Sequence, residues 1–378
     1  MSWTWCIGMY LPVILLRDLG WPGFWVFAIP NCLGAAAMGW LLRDAAHSRR
    51  MVEQHESACV WFSLVTIIFH IFFAAWLIRQ LAGPATGLYL AAAFCLFWMI
   101  MQWRGSGKFF AAVLTFAVSL LVIAWGIRRG DLPYIAHPIP RSPTVLPPID
   151  AAWLAPVCFF GFLLCPYLDL TFHAARQGTG AHESRAAFTF GFCAIFPIML
   201  LCTVAYSGRL VADLDPRIYP RLAVILSAHF IVQSGFTVAA HARQIASRVR
   251  RIRMRRFVVF TAAIVVAVLL GVGAGDTRYH SLRAGEIIYR AFLGFYGLIF
   301  PTYVWLRIVP RRQSIYRVLF TVAAALPLFW LGFVEQMTIW LLPGVAIPLL
   351  AKWSFTAPPP PSPSSPGSPP TPAAEIGT

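Results

Sequence analysis

The side chains in this sequence that could do chemistry stand inside long apolar runs, where each unsatisfied polar group is costly and so a candidate for function. Asp169 lies in the run AAWLAPVCFFGFLLCPYLDLTFHAAR, which Pro156, Gly161 and Pro166 interrupt. Pro166 has no amide to donate to the carbonyl four residues back. A break there would free carbonyls around Phe162–Cys165 and set Asp169 on the first turn of a following half-helix. Free carbonyls beside a carboxylate suit a cation, whereas a half-helix N-terminus suits an anion. The same residues also fit a plain proline kink near the inner interface, with Asp169 paired to His173 one turn on.

A second constellation is RLAVILSAHFIVQSGFTVAAHARQ, where His229, Gln233, Thr237 and His241 recur every four residues, flanked by Ser227 and Ser234. That spacing makes one stripe on a helix, which should face the interior of a bundle. It could line a solute path, relay protons, or tie helices together by hydrogen bonds. Asn31 follows Pro30 and precedes Gly34, Ala35, Ala36, Ala37 and Gly39, small residues suited to close helix packing. Glu286 and Arg290, one turn apart, read as a gate or a structural pair. His70 and His229 lie at similar depth from the outer ends of their segments and could hold a haem between them. Asp169, His173, Arg176 and His182 could hold a lipid headgroup on the inner face. No nucleophile elbow, phosphate loop or HExxH motif occurs.

The elements that must position these residues follow from composition. Of 378 residues, 59% are hydrophobic and only 12% charged, against roughly 45–50% and 25% in soluble domains. Such a chain cannot hide its apolar surface in one soluble core, and partition into a lipid bilayer is expected. A helix needs about 17–25 apolar residues to cross. Segments at 2–16, 22–42, 58–78, 87–103, 109–127, 151–170, 186–206, 222–240, 257–275, 286–306, 318–334 and 338–351 approach or meet this, giving about 12 helices. Alternating them from a cytoplasmic N-terminus places 19 basic residues on the inner side and 10 on the outer, led by HARQIASRVRRIRMRR at 241–256. The net charge of +16 therefore points to anionic lipid and topology, not nucleic acid. The eight cysteines sit in or beside apolar segments without a CxxC pair, so no disulfide or zinc framework is expected. No signal peptide is expected either, because a basic n-region and a small-residue cleavage site are lacking. The expected organisation is a transmembrane domain over 1–355, an extended outer loop at 131–148 and a disordered Pro-rich cytoplasmic tail over 356–378.

The stretch SWTWCIGMYLPVILLRDLGWPGFWVFAIPNCLGAAAMGWLL resembles the sodium/solute symporter family of the amino acid–polyamine–organocation superfamily. There a similar Ser-Trp-Thr entry leads through a short outer loop into a glycine-rich second helix. CPYLD also looks like the discontinuous sixth helix of that LeuT-like fold. The resemblance covers about the first 42 residues. It implies an inverted five-plus-five repeat with a central site between the first, third, sixth and eighth helices, and places Ser234 and Thr237 near the family's sodium site. Two departures stand beside it. The chain starts at about the point where the family's first helix unwinds, as though truncated, and its eighth segment has no adjacent Ser-Ser or Ser-Thr pair.

The expected fold is thus an all-α polytopic membrane bundle, in the cytoplasmic (inner) membrane with both termini inside. The expected function is secondary transport of a small solute, with Asp169, Asn31, His229, Gln233, Ser234 and Thr237 on its path. Coupling to Na+ or H+ is open, no resident cofactor or metal is expected, and the oligomeric state is undetermined. The alternatives are a haem-bearing redox protein and a non-transporting scaffold or sensor recruiting partners through its Arg-rich loop and Pro-rich tail; a lipid-modifying enzyme is a further possibility.

Overall fold

The computed structural model describes residues 4–103, 105, 107–132, 146–211, 220–248, 254–275, 277–279, 282–309 and 313–353, with the backbone alone at 211 and 254–257. The tail from 356, most of the Pro-rich outer loop and part of the Arg-rich 241–256 run lie outside the described residues.

Two apolar helices, α1 (Cys6–Leu19) and α2 (Trp21–Leu41), lead into a short polar helix, α3 (Ala45–Gln54). The Asp44 carboxylate starts α3 by accepting from the His47 amide at 2.6 Å. Next come α4 (Glu56–Ala82), α5 (Thr86–Gln102) and α6 (Gly107–Arg128). Between α4 and α5 the chain turns back at Gly83, whose φ of 53° is open to glycine at little cost. The sixth apolar run forms α7 (Ile149–Leu164), a tight turn at Cys165–Leu168 and then α8 (Leu170–Gln177). α9 (Ala181–Phe190) and α10 (Phe196–Val211) join through a widened π turn, and α11 (Pro220–Arg248) and α12 (Met254–Gly273) follow. A two-residue ribbon, β1 (Arg278–Tyr279) with β2 (Leu282–Arg283), precedes α13 (Ala284–Gly294), α14 (Phe300–Tyr303), α15 (Ile315–Phe333) and α16 (Leu341–Ala351).

Among the described residues, eight helical runs are long and apolar enough to cross a membrane. The protein is a multi-pass, essentially all-α membrane protein. One of the eight, Glu56–Gln102, is the α4–α5 pair and at 47 residues exceeds any single crossing. The long helices α4 and α11 form the centre, with α12 against α4 and both α5 and α6 against α11. Outside this lie two further extensive interfaces, α1 with α10 and α2 with α7.

Side-chain contacts tie the loops together in two groups. At one end Asp18 meets Arg290 and Gln336, Arg209 meets the Asp131 carbonyl, and Arg283 meets Gln80. At the other, Ser48 meets His173, Arg243 meets the Trp103 carbonyl, and Lys352 meets the Trp305 carbonyl. The sequence reading puts Asp18, Gln80, Asp131, Arg209, Arg283 and Gln336 on one side and Ser48, His173, Arg243 and Lys352 on the other, while Arg290, Trp103 and Trp305 fall within its expected spans.

Candidate functional site

Two cavities lie in tandem along the seam between α1, α7 and the α13–α14 run. The central one, about 50 Å³, is bounded by Trp5, Gly8, Asn31, Cys165, Pro166 and a set of aromatic rings. The other, about 60 Å³ and toward the side that the sequence reading expects to be outer, has apolar walls from α1, α7, α13 and α15, with Asp18, Arg290, Gln336 and Thr338 among its lining residues. Ile7, Phe162 and Tyr296 line both. These three residues stand where the two linings meet. Each cavity exceeds the roughly 10–15 Å³ that one water needs.

Local sequence explains why the backbone is irregular here. Tyr296 is the second residue of a π turn, Phe295–Ile299, and Phe192 is the second of another, Gly191–Ile195. Each turn runs into the same triplet, Ile-Phe-Pro, at 195–197 and 299–301. A proline has no amide, so in π register the carbonyl five residues back loses its partner. For Pro301 that carbonyl belongs to Tyr296, and it accepts instead from the Cys165 thiol at 3.2 Å. A Cβ on Gly161 would stand 2.7 Å from the same carbonyl, so α7 approaches this turn closely. The Tyr296 hydroxyl is held 2.9 Å from Thr66 Oγ1 of α4.

The break after α7 differs from the sequence expectation in position and consequence. α7 runs unbroken through Pro156 and Gly161, and the interruption comes only at its end, over Cys165–Asp169. The Phe162 carbonyl, expected to be free for a cation, faces α2 instead, where a Cβ on Gly34 would stand 2.0 Å from it. Asp169 is fully buried and N-caps α8, its Oδ1 accepting from the amide and hydroxyl of Thr171, both at 2.7 Å. Its Oδ2 has no partner. It does not pair with His173, whose Nε2 donates to the Tyr167 carbonyl at 2.9 Å while Nδ1 accepts from Ser48 at 2.9 Å.

The other sequence candidates divide. Asn31 lines the central cavity. The stripe on α11 lines neither cavity: it is buried against neighbouring helices. Gln233 accepts from the Thr4 amide at 2.7 Å and donates to Ser119 at 2.9 Å, and Thr237 donates back to the Gln233 carbonyl. His241 Nδ1 lies 3.1 Å from Ser63, while both ring nitrogens of His229 and the Ser234 hydroxyl lack partners. His70 has no nitrogen to offer a haem iron. Its Nε2 accepts from the Cys6 amide at 2.9 Å and its Nδ1 donates to the Thr66 carbonyl at 2.7 Å. The inner-face headgroup cluster does not converge either. Arg176, only 1% exposed, donates to the carbonyls of Leu42, Arg43 and Thr179 and so closes the end of α2. His182 is exposed.

Glu286 and Arg290 do pair, at 2.8 Å, but inside a larger network that sequence spacing missed. Arg17 bridges Asp18 and Glu286, each at 2.6 Å, and Arg290 reaches Asp18 at 2.7 Å and the Phe333 carbonyl at 3.0 Å. Two guanidinium and two carboxylate groups thus balance one another. Such mutual pairing is what makes burial of four charges tolerable.

Sequence reading also missed Ile7, Phe162, Tyr296 and the cavity aromatics, which look like ordinary core residues one at a time. The repeated Ile-Phe-Pro triplet was the available signal. No family model matches the chain, and neither a curated protein nor a solved structure matches it.

Proposed function

We propose that the chain is a transporter, and not an enzyme, carrying a small solute along the α1–α7–α13 seam by alternately opening its two ends. The observation behind this is the pair of cavities that share Ile7, Phe162 and Tyr296 in their linings. A path with a removable barrier needs two compartments and a few side chains between them, set on helices able to shift. Irregular backbone at this depth is tolerated where it lines a cavity, as the π turn at Tyr296 and the break at Cys165–Asp169 do.

The pattern of interfaces favours about twelve spans, ten of them an inverted five-plus-five repeat. Take α1, α2, α4, α5 and α6 as the first five segments, and α7 with α8, α9 with α10, α11, α12, and α13 with α14 as the second five. In such a repeat, contact of segments one and seven has its counterpart in six and two; both are among the most extensive interfaces, α1–α10 and α7–α2. Contact of four and eight has its counterpart in nine and three, and α5–α11 and α12–α4 are both extensive too. Segments three and eight are each other's counterparts, and α4–α11 is the largest interface of all. A shift of five segments reverses direction, which makes the repeat inverted. This arrangement agrees with the symporter resemblance, with cytoplasmic termini and with the basic bias of the inner loops. Asp169, buried with one free oxygen, is the group we assign to the coupling cation or to a positive group on the solute.

Reconstitution in sealed lipid vesicles and uptake of a panel of labelled small solutes tests the reading. The expected result is saturable uptake of at least one solute, lost on Ile7→Trp, with the variant's melting temperature kept. Asp169→Asn, which can still cap α8, is expected to abolish uptake without loss of folded protein. A folded protein that moves no solute, or uptake indifferent to Ile7→Trp, contradicts it.

A further inference from the structure

Arg185 on α9 lies over the ring of Trp40 at the end of α2, its guanidinium carbon 5.0 Å from the ring centroid. The indole Nε1 donates to Thr189 Oγ1 at 3.1 Å, so a tryptophan that is 56% exposed is held in one place. The two helices are in close approach here. A Cβ on Gly39 would stand 2.7 Å from Phe188 Cβ and 3.0 Å from the Ser184 carbonyl. Arg176 brings Arg43 to the same corner, because it donates both to the Arg43 carbonyl and to the Thr179 carbonyl just before α9.

Arg43 and Arg185 are exposed, and among the described residues no carboxylate pairs with either. The acids beside them in sequence are turned to helix starts: Asp44 accepts from the His47 amide and Glu183 from the Gly180 amide. A guanidinium stacked on a ring keeps its N–H edge free, and that edge fits a phosphate bidentately. Next to these cations the surface turns apolar. Leu41 and Phe190 are exposed, and Trp25, Ile29 and Leu33 continue the exposed face of α2 at four-residue spacing. In a multi-pass membrane protein such a face meets acyl chains, and a tryptophan at its end sits at headgroup level.

We propose that this rim binds an anionic phospholipid, with Arg185 and Arg43 on the headgroup phosphate and an acyl chain along the exposed face of α2. Free phosphate would answer the arginines and leave the apolar face without a partner. A zwitterionic headgroup would bring an ammonium toward two guanidinium groups. A lipid with net negative charge answers both halves of the surface. None of these residues lines either cavity, so the site does not depend on the transport reading.

The test is native mass spectrometry of the purified full chain in detergent, titrated with dioleoyl-phosphatidylglycerol or dioleoyl-phosphatidylcholine. One phosphatidylglycerol per chain should be retained in preference to phosphatidylcholine. Arg185→Gln and Arg43→Gln should each weaken that binding about 5-fold, the contribution of one basic residue beside an anionic lipid surface. Arg185→Lys should keep part of it, and Trp40→Phe more than Trp40→Leu, with melting temperatures in detergent reporting that each variant is folded. Lys108→Gln removes an exposed charge from α6, a helix packed on α11, and should leave the binding unchanged. Equal retention of phosphatidylcholine overturns the proposal. A loss in Lys108→Gln as large as in Arg185→Gln also overturns it, because the attraction is then diffuse. Displacement of the lipid by millimolar inorganic phosphate does so as well, since the site is then one for a free anion.

Discussion

The Cys6 amide donates to His70 Nε2 at 2.9 Å, and the opposite nitrogen of that ring donates to the Thr66 carbonyl. One side chain of α4 thereby satisfies the first turn of α1, which has no side-chain cap of its own. His70→Leu leaves both backbone groups without a partner in a buried site, at a cost of about 1–3 kcal/mol each at most. A lowered melting temperature is the expected outcome, and the purified wild-type protein should show no Soret band. An unchanged melting point would show that the contact is dispensable.

Gly34 on α2 is expected to tolerate no side chain. A Cβ there would meet the Phe162 carbonyl at 2.0 Å, so Gly34→Ala must push α2 from α7, at about 1–3 kcal/mol for overpacking. Gly87 on α5 has nothing within 4 Å of its would-be Cβ. Gly87→Ala should therefore be neutral or stabilising by up to about 1 kcal/mol, because alanine favours helix. Thermal melts of the two variants should move in opposite directions, or at least differ plainly.

In the charged network, Arg290 is expected to matter more than Arg17. Arg290 contacts Glu286, Asp18 and the Phe333 carbonyl, and its side chain is 9% exposed against 17% for Arg17. Arg290→Met leaves both acids to Arg17 alone, with one buried negative charge in excess and the Phe333 carbonyl without its donor, and should cost up to about 3–5 kcal/mol. Arg17→Met leaves both acids still paired to Arg290 and should cost less, since water reaches the site. Denaturation of the two variants side by side checks the order.

Acid should loosen the inner loops through His173. Burial lowers its pKa, and in its neutral form it is satisfied at both nitrogens, by Ser48 and by the Tyr167 carbonyl. The unfolded chain, with a histidine pKa near about 6.5, takes up that proton first. Stability should accordingly be flat in this respect above about pH 6.5 and fall as pH drops below it. His173→Asn should have a shallower decline between pH 6.5 and 5 than wild type; an identical slope would remove His173 from the account.

How much of this could be read from the sequence depended on whether a signal was local. Apolar segments, the chain break near Pro166 and the Glu286–Arg290 pair come from spacing along the chain, and the structure has all three. The stripe from His229 to His241 was equally legible as a stripe, but spacing cannot say whether a face meets a cavity or another helix. Gln233 shows the difference: its partners, Thr4 and Ser119, lie far from it in sequence. Ile7, Phe162 and Tyr296, shared by both cavity linings, come from three segments that only folding brings together. Arg17 and Asp18 likewise looked like loop charges until Glu286 and Arg290 arrived beside them.

Two native cysteines allow the most direct test of the two-compartment path. Cys158 lines the larger cavity and Cys165 the central one, with Phe162 between them on the same run of chain. Sealed vesicles of known orientation can be exposed to a small membrane-impermeant thiol reagent from the outer side and modification of each cysteine followed by mass spectrometry. The account expects Cys158 to react first in wild type, and Cys165 to become reactive from that side when Tyr296→Ala removes the partition while Cys158 is little changed. Cys165 as unreactive in the variant as in wild type, in a protein that still folds, would contradict a continuous path through that wall.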